Sequence, residues 1–143
     1  MANKKDNSIL ATKYLMAILK ENQAVMDILG TETNKIFPLQ QPENLSFPFI
    51  VIQRNSIMPT YTKDYMGWSN LVTFEIACVS NDYIQSLELA NAVRNAIEWY
   101  RWQDSNINIT RINIDMINEF VIDNDNAPAY VQSISISSNI DPI

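Results

Sequence analysis

The sequence predicts an α+β domain: a mostly antiparallel sheet of four to five strands with two helices packed on one face. Three observations carry this. Apolar residues recur at helical spacing in two stretches, near residues 8–29 and 82–101. Elsewhere they mostly alternate at strand spacing, and clusters of Asn, Asp, Ser and Pro separate the runs. The resulting order, α-β-β-β-α-β-β, groups strands together instead of alternating them with helices, which favours antiparallel neighbours.

The first helix is expected over residues 8–29. At 100° per residue, Ala11, Tyr14, Leu15, Ile18, Val25, Met26 and Leu29 share a face, with Lys13, Lys20 and Asp27 opposite. Asn7 or Ser8 caps its start, and Gly30 suits the left-handed position just past its end. Asn22 interrupts the apolar stripe and marks a candidate bend. A short extended piece, residues 35–38, precedes a polar loop over residues 40–46. Residues 47–54 are apolar on both faces, Phe49 and Val51 on one and Ile50 and Ile52 on the other, so this strand is central or lies under a partner. The pattern breaks over residues 55–68. Residues 71–79 then form a strand, with Val72, Phe74, Ile76 and Cys78 facing one way and Thr73 and Glu75 the other.

Asn81 and Asp82 cap the second helix, which runs to about Arg101. Its expected core stripe is Tyr83, Leu87, Ala90, Val93, Ile97 and Tyr100, with Ile84 and Trp99 off it. Two strands follow. Ile112, Ile114, Met116, Phe120 and Ile122 share one parity and Ile107 and Ile109 the other, which places a bulge or break near Thr110 and Arg111. Residues 123–129 turn the chain. Residues 130–138 alternate, with Ile134 and Ile136 inward and Ser133, Ser135 and Ser137 outward.

A chain of 143 residues, 47% hydrophobic and 18% charged, belongs to the globular class. It is expected to form a single domain over residues 1–143, with residues 1–7 flexible. The 16 acidic and 10 basic residues leave a net charge of -6, and no cluster of Lys or Arg is present to neutralise phosphates. Sequence-specific binding to nucleic acid is therefore not expected, although an acidic wall suits DNA that must slide past without sticking. The apolar run at residues 14–19 is too short for a signal peptide, and nothing approaches a membrane span. A cytosolic chain is expected.

Chemistry has little to work with. The chain has no histidine, which removes the commonest general base and metal ligand. Its single cysteine, Cys78, falls within a strand pattern, excludes an intrachain disulfide and cannot build a cysteine zinc site. With 2 glycines, no glycine-rich phosphate loop is available. Asp123, Asn124, Asp125 and Asn126 open like a calcium loop, but Ala127, Pro128 and Ile134 occupy positions that need ligands or glycine, so a hairpin turn is expected. Glu88 and Glu98, and likewise Asp115 and Glu119, are expected to face solvent. The expectation is no catalytic residue, no cofactor and no metal: not an enzyme.

Apolar residues within the aperiodic segment demand an explanation instead. Ile57, Met58, Tyr61, Tyr65, Met66 and Trp68 crowd into residues 55–68, a connection too long and too aromatic for an ordinary loop. Either the segment covers its own sheet or it is an arm that docks on a neighbouring chain. Trp99, with Ile84, extends the second possibility to the helix, unless Trp99 lies beneath residues 102–106. A different role for the segment is a lid over an apolar pocket that takes a small molecule or peptide.

Four stretches, in this order and spacing, resemble the tail completion proteins of tailed phages and prophages. They are the helix ending Ile28, Leu29, Gly30; residues 35–38 followed by residues 47–54; the strand of residues 72–79 leading to residues 90–97; and the closing strands around an acidic turn. The resemblance covers about residues 9–136, and the chain departs from it in its scarce glycines and Asn-rich closing region. It implies a head-tail connector or tail terminator subunit that forms a homo-oligomeric ring, typically a hexamer, around a lumen for the genome. Its implied partners are tail-tube or head-connector proteins. Its implied location is the tail or neck of the virion, after assembly in the cytoplasm of a host bacterium.

Overall fold

The computed structural model describes residues 5–40, 46–61, 68–124 and 127–143. The helical stripe at the start of the chain does not form one helix. A 3-10 turn, Ser8–Leu10, leads into α1 (Ala11–Glu21), and α2 (Gln23–Leu29) follows a break at Asn22. Asn22 takes an extended conformation, and its side chain accepts a hydrogen bond from Val25 N at 3.1 Å. Capping a new helix satisfies the polar side chain better than continuing the old one through the apolar stripe. Gly30 ends α2 with φ 87°. A Cβ there would meet nothing within 4 Å, so the glycine is needed for its backbone conformation and not for space.

The strands are β1 (Ile36–Pro38), β2 (Phe49–Tyr61), β3 (Trp68–Ser80), β4 (Trp102–Gln103), β5 (Asn108–Ile109), β6 (Asn113–Asn124) and β7 (Ala127–Asp141), with α3 (Tyr83–Ile97) between β3 and β4. The domain is α+β as expected, but the described residues hold seven strands where four to five were predicted. The two-residue strands β4 and β5 are too short to show a period. The order is β1-β2-β3-β7-β5-β4, and β6 pairs with β7 off that path. β1 lies parallel to β2, and the other pairings are antiparallel.

All three helices lie on one face. There Ile50, Ile52, Ile76, Ile134 and Ile136 meet Leu15, Leu19, Val25, Leu89, Val93 and Ile97, all buried. The stripe expected on α3 is rotated: Ser86, Leu89, Ala90, Val93, Ala96 and Ile97 are buried, while Tyr83 and Leu87 are exposed. Asp82 caps α3 by accepting from Ile84 N. On the opposite face a smaller buried cluster, Phe37, Phe49, Val79, Ala129 and Val131, occupies one end.

The break predicted near Thr110 and Arg111 separates β5 from β6, and both strands use the same edge of β7. Ile107 and Ile109 therefore reach the core at one end of that edge, and Ile112 and Ile114 further along it.

Residues 1–4, part of the N-terminus expected to be flexible, lie outside the described residues. Lys5 exchanges backbone hydrogen bonds with Ile143 at 2.8 Å each. Asp6 Oδ2 accepts from the Trp68 indole at 2.8 Å and from Asn70 Nδ2 at 3.0 Å. Partial burial pushes the Asp6 carboxyl up, but the hydrogen bonds from Trp68, Ser8 and Asn70 outweigh it and hold the group below its ordinary 3.8.

Two expected outcomes follow from this packing. Ile134→Ala opens a cavity at the centre of the helix face and lowers unfolding free energy by about 2–5 kcal/mol in denaturant titration. Asp6 titrates lower folded than unfolded, so its stabilisation is complete above 3.8 and fades as pH falls through the folded value. The protection of the Ser8 amide against exchange, corrected for the intrinsic rate at each pH, should therefore fall at acid pH in the parent chain, and already at neutral pH in Asp6→Ala.

Candidate assembly surface

The segment of residues 55–68, expected to be aperiodic, belongs to two paired strands wherever it is described. β2 continues to Tyr61 and β3 starts at Trp68. The period was hidden because the pairing shifts between Arg54 and Ser56, leaving Asn55 as a bulge. One extra residue flips the parity, so Ile57 points to the same face as Ile52 despite its odd number offset.

The candidate residues scatter accordingly. Ile57 is half-buried against the main core. Trp68 is half-buried and bonded to Asp6. Met58 and Tyr61 are exposed, at 59% and 62%, although the Tyr61 ring lies 6.4 Å from that of Trp68. Tyr65 and Met66 lie outside the described residues. Trp99 is not beneath the segment that follows it: it sits at φ 66°, 61% exposed, with the Arg111 guanidinium 4.7 Å from its ring centre. Trp102 fills the inner position instead, edge-on to Tyr14.

A larger apolar surface lies on β6, which sequence periodicity assigned to the core. From Asp115 to Asp123 every β6 residue is exposed. Met116, Phe120 and Ile122 point to the face without helices, and Ile117 and Val121 to the helix face, all at 40–55% exposure. Among the described residues β6 pairs only with β7, so the backbone donors and acceptors of its outer edge have no protein partner. The parity held only as far as Ile114: a second bulge, between Ile114 and Met116, turns the later residues over. Tyr83, Ile84 and Leu87 of α3 add exposed apolar area on the helix side.

This exposed strand is held firmly from behind. Glu119 Oε2 accepts from Gln132 Nε2 and from the Tyr83 hydroxyl, each at 2.9 Å. The bond from Gln132, then that from Tyr83, keeps the Glu119 carboxyl below its ordinary value, and the same contact raises the Tyr83 phenol. Gln132 also reaches Ser86 Oγ at 3.4 Å. The start of α3 is thus tied to both strands of the final hairpin.

Among the described residues no group of three or more His, Cys, Asp or Glu side chains converges, and no helix is long and apolar enough to cross a membrane. The turn compared with a calcium loop has Asp123 and Asn124 in β6, while Asp125 and Asn126 lie outside the described residues. The apolar cavity between α1 and the sheet, lined by Leu15, Phe74, Ile112 and Ile136 among others, measures about 10 Å³. That is room for roughly one water, and no residue of the 55–68 segment borders it.

No protein-family model matches the sequence, and no curated protein is similar to it in sequence. Among solved structures, the fold matches a chain of the virion of a native gene transfer agent particle, with a TM-score of 0.74. The match covers 89% of this chain and 91% of that one, at 12% sequence identity. At such low identity the likeness establishes a shared fold, over nearly the whole of both chains.

Proposed function

We infer that the chain is a structural subunit of a phage-like virion, and that it works as a ring at the junction of head and tail, as a connector or tail terminator. The observation that carries this reading is the near-complete fold match to a virion protein. The chemistry of the surface supports it. The chain offers an apolar, acid-flanked strand edge suited to assembly, and among the described residues no cluster of His, Cys, Asp and Glu that could hold a metal ion.

On this reading the face of the sheet without helices lines the lumen. Away from its buried end it carries small hydroxyl side chains: Ser56 and Thr73 share a hydrogen bond at 2.8 Å, Ser137 donates to Asp115 at 3.0 Å, and Ser133 donates to Glu75. Over this part of the face the hydroxyl and carboxylate groups repel phosphate, while Arg101 and Arg111 stand beside Thr60 and Asn139 at its far end. Tail-tube or head-connector proteins are the expected flanking partners, the virion neck the expected location, and the host cytoplasm the place of assembly. For the lid reading, the apolar cavity beside α1 is too small for a ligand, and residues 62–67 of the segment lie outside the described residues.

Light scattering after size exclusion, at low and high protein concentration, tests the ring. The expected result is a discrete species of about six copies. A monomer at every concentration, unchanged by added tail-tube protein, overturns it. Phe120→Lys should abolish the large species and leave unfolding free energy within about 0.5 kcal/mol of the parent chain, since the side chain is half in solvent.

A further inference from the structure

Two sheet edges differ in a way that suggests how copies join. Among the described residues the outer edge of β6 is unpaired along its length. At the other side of the sheet β1 covers β2 only as far as Ile52, and among the described residues the outer edge of β2 beyond it is free as well. β2, β3, β7 and β6 alternate in direction, so β6 runs antiparallel to β2. Rotating a second copy about an axis along the strands keeps the helix faces on the same side. It also brings its β2 antiparallel to the first copy's β6.

We propose that this chain assembles head-to-tail by pairing β6 of one copy with β2 of the next, Arg54 lying opposite Glu119. The inference rests on the ring reading and adds its seam. With Asn55 as the bulge it already is against β3, the faces agree at every step. Gln53 meets Phe120, Arg54 meets Glu119, Ser56 meets Asn118, Ile57 meets Ile117 and Met58 meets Met116. Arg54, Ile57, Glu119 and Ile117 belong to the helix face; Ser56, Met58, Asn118 and Met116 belong to the other. The ladder stops where both strands lose regularity, at Pro59 with no N–H to donate and at the Asp115 bulge.

Charge selects this pairing over its rival. β6 carries Asp115, Glu119 and Asp123 and no base, whereas β2 carries Arg54 and no acid. A two-fold pairing of β6 with β6 centred on Glu119 sets Glu119 against Glu119 and Asp115 against Asp123, which is destabilising. A contact between two different edges closes into a ring when the rotation permits.

Cysteine trapping tests the seam in the full chain. The native Cys78 is fully buried, and burial pushes its thiol above the ordinary range, so it stays silent. Under mild oxidation, M58C/M116C should give a ladder of covalent oligomers on a denaturing gel, and each single variant none. The displaced pair M58C/I122C should give none either. A ladder that ends at the ring seen by light scattering supports both proposals. A ring without a ladder overturns the seam and leaves the ring standing. A ladder without a closed species keeps the seam and overturns the ring. Dimers from M116C/I122C, the positions that face each other in the two-fold register, mean β6 pairs with itself, and overturn the seam.

Discussion

A strand that lies inside a sheet must satisfy two edges and two faces at once, and in this molecule β7 bears that demand over its full length. β3 occupies one edge from Tyr130 to Ile140, and the other edge is shared between β6 and β5. The chain serves both ends of that second edge by breaking at residues 110–112. Thr110 fixes the break: its N–H and hydroxyl both donate to Asn139 O, while Ser138 Oγ donates to Thr110 O. The faces of β7 explain its alternation. Ile134, Ile136 and Ile140 need the helices, and Ser133, Ser135 and Ser137 line a face that no helix covers.

From β7 the polar groups spread outward without an orphan. Among the described residues no buried side-chain nitrogen or oxygen lacks a partner. Gln132 shows why this matters for the surface. Almost buried on the helix face, its amide donates outward to Glu119 and back to Ser86. β6, which has no core on its outer side, therefore keeps a fixed position relative to α3. An edge held in place before a partner arrives loses little conformational freedom on binding.

Much of this was legible in the sequence, and the failures share a cause. The strand faces of residues 47–54, 71–79 and 130–138, the cap at Asp82 and the turn at Gly30 follow from local period and local hydrogen bonding, which a sequence carries explicitly. The two bulges do not. Each inserts one residue against a distant strand, at Asn55 and near Asp115, and so reverses every later side chain. That reversal made the end of β2 look aperiodic and made Met116, Phe120 and Ile122 look internal. The rotated stripe of α3 has a related origin: Leu89 and Ala96 are buried because α3 packs on α2 as well as on β3 and β7. The assembly candidates drawn from residues 55–68 were thus partly intramolecular, and the larger apolar surface, on β6, went unseen.

An exposed apolar edge is a hazard to any chain that must stay soluble before it assembles, and the placement of charge on β6 answers that hazard. Sheets avoid runaway association through proline, bulges and like charge at their edges. β2 uses Asn55 and Pro59. β6 has its bulge at one end and otherwise depends on three carboxylates that alternate with the apolar residues. Because Glu119 is held ionised by Gln132 and Tyr83, the repulsion between two β6 edges persists over the whole neutral range. The same groups that forbid self-pairing present a complementary row to a strand bearing a cation. A negative charge in that place makes the edge selective as well as soluble, which a ring subunit needs if its contacts are to close with its neighbours instead of collapsing with copies of themselves.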